Sequence, residues 1–251
     1  MSEAWIIDVA RTPRGIGKQG KGALWEVHPQ RLMSTVLKAL AERNSLKTEE
    51  IDDVIISCNY QYLKQGQCIA RMAALDAGYD IRSSGVAIDR FCGGGISSVN
   101  MAAASVMSGM EDLVVAGGVE MMSYQKEQGL LGPLDGWNLH LRELFPQINV
   151  GIAADIIATE LGYKRADVDA FAAESQRRAG IAMEEGRYDM SLIPVYKDDG
   201  SLALDREEYP RPTTSAEKLA ELAPVFANFM DMPFFDSGLT YREMVQKRWP
   251  D

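Results

Sequence analysis

Histidine is almost missing from this chain of 251 residues: only His28 and His140 occur, and the cysteines stop at Cys58, Cys68 and Cys92. So thin a set, with no His/Cys/carboxylate cluster at ligand spacing, predicts no metal site. Three cysteines are also too few and too scattered for the disulfide framework of a small secreted domain, and they point to a reducing cytoplasm. Long apolar runs are lacking as well. None approaches the ~18 residues of a membrane span, and the first ten residues have no basic flank of a signal peptide. Positive charge is short: 26 Lys and Arg stand against 36 Asp and Glu, a formal net charge of -10. An acidic chain without a basic cluster is repelled by phosphate backbones and anionic lipid, so neither nucleic acid nor membrane is an expected partner. A local basic pocket for a small anion remains compatible with that balance.

What is present suits a globular protein. Apolar residues make up 46% and charged residues 25%, and the length allows one large domain or two modest ones. Ala4 to Ala10 reads as a buried strand, and His28-Pro29 opens a helical stretch through Leu32, Val36, Leu37 and Leu40. Asp53 to Cys58 is a second strand, followed by a helix over Ile69 to Ala77 that stops at Gly78. Ser84 to Phe91 predicts a third strand, Ile96 to Met110 a third helix, and Asp112 to Gly118 a fourth strand. This alternation predicts an α/β fold with a mainly parallel sheet covered on both faces.

Beyond Met121 the pattern leaves the sheet. Helices are expected over Gly151 to Leu161 and Arg165 to Glu185, the latter with Val168, Phe171, Ala172 and Ala179 on its apolar side. Ser191 to Leu204 predicts two short strands around the turn Asp198-Asp199-Gly200. The expected organisation is therefore a core over 1–120, an inserted, mostly helical layer over 121–230, and a return toward the core over 231–251.

The sharpest chemical feature is Asp89-Arg90-Phe91-Cys92-Gly93-Gly94-Gly95-Ile96-Ser97-Ser98, where a strand runs through three glycines into a helix. A thiol at a helix N-terminus meets the positive end of the macrodipole, which favours thiolate. Amides near Gly93 and Gly94 are expected to assist a developing oxyanion. A buried structural cysteine in a tight turn explains the same residues. A phosphate cradle fits less well, because the run is neither Gly-x-Gly-x-x-Gly nor a loop ending in Gly-Lys-Ser/Thr.

Two flanking segments bear on the choice. Gly66-Gln67-Cys68-Ile69-Ala70-Arg71 through Gly78 precedes the cysteine, and Val114-Val115-Ala116-Gly117-Gly118-Val119-Glu120-Met121-Met122-Ser123 follows it. With Asp8 to Pro13, Gly22 to Leu24, Arg211 to Thr214 and Leu222 to Phe226, their order and spacing resemble the thiolase family. The resemblance extends to about residue 230. It implies a thiolase-like core with an inserted loop domain that covers coenzyme A. It implies acyl transfer, either cleavage of a 3-ketoacyl-CoA by CoA or Claisen condensation of acyl-CoA units, with Cys92 as the acylated nucleophile. Coenzyme A enters as substrate, with no covalently bound cofactor. By position the resemblance places Arg211 at the nucleotide end, Phe226 beside pantetheine or adenine, and Asn149-Val150 where many relatives carry His-Met.

Departures accompany the likeness. Gly94 stands where relatives usually have Ser or Thr, and Asp89 where Asn or Thr is frequent. Asn149-Val150 alters the expected pantetheine tunnel. The family's Gly-His-Pro, Asn-Glu-Ala-Phe and second-cysteine motifs do not occur, nor does the strand that completes the first sheet. His28 and His140 are expected as capping or surface residues, and Cys58 and Cys68 as packed ones. The expectation is therefore that a separate polypeptide supplies the C-terminal half or that this chain is a fragment of a longer enzyme, and the resemblance implies a homo-oligomer. A ketoacyl-synthase-type condensing enzyme and a non-catalytic CoA-binding or scaffolding subunit are the alternatives.

Overall fold

The computed structural model describes residues 3–127 and 132–250. Two compact units emerge: Met1–Gly129 with Gly186–Tyr209, and Leu130–Glu185 with Pro210–Asp251.

The first unit is built on three parallel strands, β1 (Asp53–Ser57), β2 (Val86–Ile88) and β3 (Val114–Gly118), in the order β2-β1-β3. Ser57 lies opposite both Ile88 and Gly118, so all three strands leave the sheet at one common carboxyl edge. Between them run α1 (Pro29–Arg43), α2 (Ile69–Asp76) and α3 (Gly94–Ser108), as the alternating pattern predicts. His28 caps α1, its Nδ1 accepting the Gln30 N–H at 3.2 Å, and Pro29 occupies the first turn, where its missing N–H costs nothing. Gly78 follows α2 at φ +84°, the left-handed stop that glycine adopts without strain.

Strand alternation assigns the faces. Val54, Ile56 and Cys58 pack with Met33 and Leu37 of α1 and with Ile69, Ala70, Ala73 and Ala74 of α2. Ser57 points the other way, against Gly94 at the start of α3. The parallel sheet is thus covered on both sides, as its apolar strands require. A short helix, α4 (Met122–Glu127), follows the exit of β3. The expected pair of late strands forms an antiparallel hairpin, β4 (Val195–Tyr196) and β5 (Leu202–Leu204), turning at Gly200 with φ +81°. Val195 and Leu204 pack with Leu24, Val27 and Leu32.

Two expectations are corrected in this unit. Ala4 to Ala10 belongs to no strand, and its side chains are in the open, Trp5 at 79% and Ile6 at 77% exposure. A strand needs a ladder partner, and the free side of β3 faces a cavity rather than this segment. The hairpin also joins the first unit rather than a separate layer over 121–230, because its apolar residues complete the cluster around Leu24.

The second unit contains α5 (Leu139–Leu144), α6 (Val150–Glu160), α7 (Arg165–Glu184), α8 (Ala216–Ala220) and α9 (Tyr241–Arg248). Its core gathers Ile152, Phe234, Tyr241 and Met244. Residues 231–250 therefore pack within this unit instead of returning to the sheet. The apolar side expected for α7 is also revised: Val168 and Phe171 are exposed, while Asp169, Gly180 and Ala182 are buried. Small residues decide that face, since a Cβ on Gly180 would come within 2.6 Å of Pro212.

Candidate active site

Cys92 stands at the carboxyl edge of the sheet, in the turn Phe91–Gly93 that links β2 to α3. In open parallel sheets this edge is where ligands bind. The turn is a strained one. Phe91 has φ +46°, a left-handed conformation costing a non-glycine residue about 1 kcal/mol or more. Asp89 holds it there, its Oδ1 accepting the Phe91 N–H at 2.9 Å. The Asp89 position, a departure from the family's usual residue, thus has a local structural task that an Asp two residues before a turn could have signalled.

The Cys92 side chain is exposed and sits beside the amino end of a fifteen-residue helix. The N-cap is Gly93, which contributes no side chain to cover that end, so the positive pole of α3 faces outward next to the sulfur. Each glycine of the run differs. A Cβ on Gly94 would lie 1.7 Å from Ser57 Oγ and 2.8 Å from its Cβ, whereas one on Gly95 would meet nothing within 4 Å. Gly94 lets the helix dock on β1, and Gly95 leaves the surface open. Replacing Gly94 by Ala is expected to cost about 1–3 kcal/mol of stability by wedging α3 off the sheet; urea denaturation at constant m-value measures it. The amides named from the sequence are otherwise occupied: Gly93 N–H donates to Arg90 O and Gly94 N–H to Phe91 O. Further along, Ser98 Oγ donates to Gly117 O at 2.8 Å, which anchors α3 to β3 as well.

Glu120, just past β3, organises the same edge. Its carboxylate accepts the Asn59 N–H at 2.6 Å and Gln65 Nε2 at 2.9 Å, and also takes a hydrogen bond from Gln125. Gln65, fully buried, accepts the Met121 N–H through its Oε1. These two residues tie the loop after β1 to the exit of β3, a pairing that no local pattern reveals because they are fifty-five positions apart.

The three cysteines separate by environment. Cys58 is 1% exposed; burial, reinforced by the negative charge of Glu120, pushes its thiol up to about 12. It stays neutral and inert throughout the physiological range. Cys68, expected to be packed, is instead exposed at the start of α2 with φ +53°, its Sγ in contact with Gly85 O at 3.3 Å. Iodoacetamide at neutral pH is accordingly expected to modify Cys92 and to spare Cys58 until the protein is unfolded, as peptide mapping by mass spectrometry would read directly.

Of the four residues that the resemblance assigned to coenzyme A, three gather at the start of α6 in the second unit. Asn149 caps that helix, its Oδ1 accepting the Gly151 N–H at 2.8 Å. Val150 beside it is 82% exposed. The Phe226 ring lies over Gly151, where a Cβ would come within 2.1 Å of it. Arg211 is elsewhere, in the loop along α7, exposed and anchored by its backbone N–H to Gln176 Oε1 at 2.6 Å. His28 is engaged as a helix cap and His140 is exposed on α5. Among the described residues, no group of three or more His, Cys, Asp or Glu could hold a metal ion, and no helix is long and apolar enough to cross a membrane.

Comparison with known proteins decides the family. The model of the thiolase N-terminal domain matches residues 4–229. This chain belongs to the thiolase family. A beta-ketoadipyl-CoA thiolase of Pseudomonas aeruginosa is 34% identical over 241 residues, covering 89% of this chain and 59% of that protein. An acetyl-CoA acetyltransferase of Thiocystis violacea is 35% identical over 238 residues, covering 88% and 59%. The crystal structure of the Bacillus anthracis acetyl-CoA acetyltransferase superposes with a TM-score of 0.74 at 30% identity, again over 89% of this chain and 59% of that one. The chain thus spans about three fifths of the length of the thiolases it matches. Within the thiolase family its α/β fold, parallel sheet and flanking helices are as the sequence predicts, and the glycine at position 94 has a packing reason, the close approach of Ser57.

Proposed function

We propose that this chain supplies the acyl-carrying half of a thiolase. The Cys92 thiol gives up its proton and its sulfur attacks the C3 carbonyl of a 3-ketoacyl-CoA, the bond between C2 and C3 breaks, and the released acetyl-CoA carbanion takes up a proton. The thiol of a second coenzyme A, giving up its proton, then attacks the acyl thioester; the bond to the Cys92 sulfur breaks, the sulfur leaves as thiolate and takes up a proton, and a shortened acyl-CoA is freed. Run backward, the same steps form a carbon–carbon bond by Claisen condensation. The observation that carries this reading is the exposed Cys92 on a strained turn at the uncapped amino end of α3, in a chain of the thiolase family.

Arg211, Phe226, Asn149 and Val150 are the proposed coenzyme A contacts, with the Arg211 guanidinium offered to anionic oxygens and Phe226 to pantetheine or adenine. The proton donor and second cysteine are assigned to a separate C-terminal half, since His28 is occupied as a cap. A soluble cytoplasmic location and a homo-oligomeric or two-polypeptide assembly complete the proposal.

Incubation with acetyl-CoA, followed by intact mass measurement and peptide mapping, tests it. Gain of one acetyl group on Cys92 is the expected result. Saturable coenzyme A binding without acylation, even when the C-terminal half of a thiolase is added, favours a non-catalytic binding subunit instead.

A further inference from the structure

The amino end of α1 is closed by one side chain. His28 Nδ1 accepts the Gln30 N–H at 3.2 Å, while His28 O accepts the Leu32 N–H at 3.1 Å. Pro29, fully buried, has no N–H to satisfy, and the first turn of α1 carries no acidic residue to share the task. An imidazole nitrogen accepts a hydrogen bond only while it is unprotonated; in the imidazolium both nitrogens are donors. A proton on His28 therefore deletes the cap, and it also sets a positive charge against the positive pole of the helix.

Charged groups on three other segments face the ring. Lys64, from the turn Leu63–Gln65 after β1, opposes protonation, whereas Asp76 at the end of α2 and Asp198 in the turn between β4 and β5 favour it. Asp76 is committed elsewhere: Arg31 Nη1 donates to its two oxygens at 3.2 and 3.1 Å, and Ser34 Oγ donates to it as well. Asp198 lies in the open, with Arg31 Nε 3.7 Å away. Its neighbour Lys197 pairs at 3.8 Å with Glu26, just ahead of His28. Burial first, then Lys64, outweighs the two carboxylates and holds the His28 imidazole below the ordinary histidine range. The stability that the cap contributes is thus fully present above the unfolded-state value of about 6.5 and is lost as pH falls through the lower folded value.

The same turn of helix seats the hairpin. Leu32 packs with Leu24, Val27, Val195 and Leu204, so its position depends on how firmly α1 begins. We infer that His28 is an acid-sensitive clasp on the first unit: neutral, it fixes the first turn of α1 and, through Leu32, the seat of the β4–β5 hairpin; protonated, it releases the Gln30 N–H and both loosen. Ser, Thr or Asn at this position would cap the helix without responding to pH near neutrality, whereas histidine titrates there.

Amide exchange of the whole chain, followed by NMR from about pH 7.5 to about pH 5 and expressed as protection factors, tests the clasp. In wild type, protection at Gln30 is expected to fall by roughly fivefold or more in step with titration of the His28 ring, and the methyl cross peaks joining Leu32 to Val195 and Leu204 to weaken with it. His28→Asn keeps an acceptor at the cap and takes up no proton, so its Gln30 protection is expected to stay within about twofold over the same interval. Constant protection at Gln30 while His28 gains its proton overturns the inference, as does a ring that stays neutral down to about pH 5. An equal loss in His28→Asn assigns the acid response to other groups and also overturns it. So does loosening at Gln30 that leaves the Leu32 cross peaks unchanged.

Discussion

Serine at position 92 is expected to abolish acyl capture from acetyl-CoA, lowering the single-turnover rate by about 10⁴-fold or more, while leaving the melting temperature within a degree or two. The argument has two parts. A hydroxyl is a far weaker nucleophile than a thiol or thiolate, and without an adjacent base nothing activates it. Among the described residues His28 is committed to capping α1, so a serine gains no help from it. The fold is untouched because the Cys92 side chain is exposed and the turn is held by backbone groups and Asp89. Intact mass after rapid mixing with acetyl-CoA, alongside circular dichroism melting, checks both halves. Wild-type acetylation persisting in Cys92→Ser would move the acyl site to another residue, and the Cys68→Ser variant would then identify it.

Removing Arg142 is the change expected to damage stability most. Its guanidinium, almost fully buried, donates from Nε and Nη2 to the two oxygens of Asp135, both at 2.7 Å, and also pairs with Asp236. The rings of Trp137 and Phe235 lie 5.6 and 5.2 Å from its centre, adding cation–π attraction. In Arg142→Ala the Asp135 carboxylate, equally enclosed, loses both hydrogen bonds from its one guanidinium partner, and truncating one side of a buried pair is among the most destabilising substitutions known. A fall in melting temperature of roughly 10 °C or more is expected. Arg142→Lys recovers only part of it, because an ammonium cannot present the planar fork.

The same pair predicts an acid dependence. Hydrogen bonding from Arg142 holds the Asp135 carboxyl below its ordinary range, so its contribution is fully present above the unfolded-state value of about 3.9 and disappears as pH falls through the lower folded value. Wild type should therefore lose stability on acidification below about pH 4 more steeply than Arg142→Ala, a difference that urea titrations at stepped pH would reveal.

How far the site was legible follows from the range of the interactions involved. The Cys92 turn was readable because all its parts are neighbours in the chain: a strand ending at Ile88, glycines, and a helix beginning at Gly94. His28 as a cap and Gly200 as a turn were readable for the same reason. The Glu120–Gln65 link was not, since it forms only when β1 and β3 lie side by side. The role of Gly94 was likewise hidden, because the sequence shows a missing side chain but not the Ser57 that excludes it. The amides of Gly93 and Gly94 were misjudged, since a tight turn consumes its own donors.

Composition and local periodicity determined the α/β class and the strand–helix order, which depend on which side chains are apolar and how often they recur, whereas Cys92 became a candidate nucleophile through the glycine run beside it and the resemblance to thiolases. Periodicity could not settle Ala4 to Ala10: an apolar, β-branched run has the makings of a strand, but a strand exists only where another chain edge pairs with it, and β3 meets a cavity there instead. Nor could it settle the face of α7, where Gly180 against Pro212 outweighs Phe171 and Val168. Ladder pairing and close packing join residues far apart in the chain, and that is why the tertiary structure alone placed the hairpin Val195–Leu204 with the sheet and residues 231–250 with the helical unit.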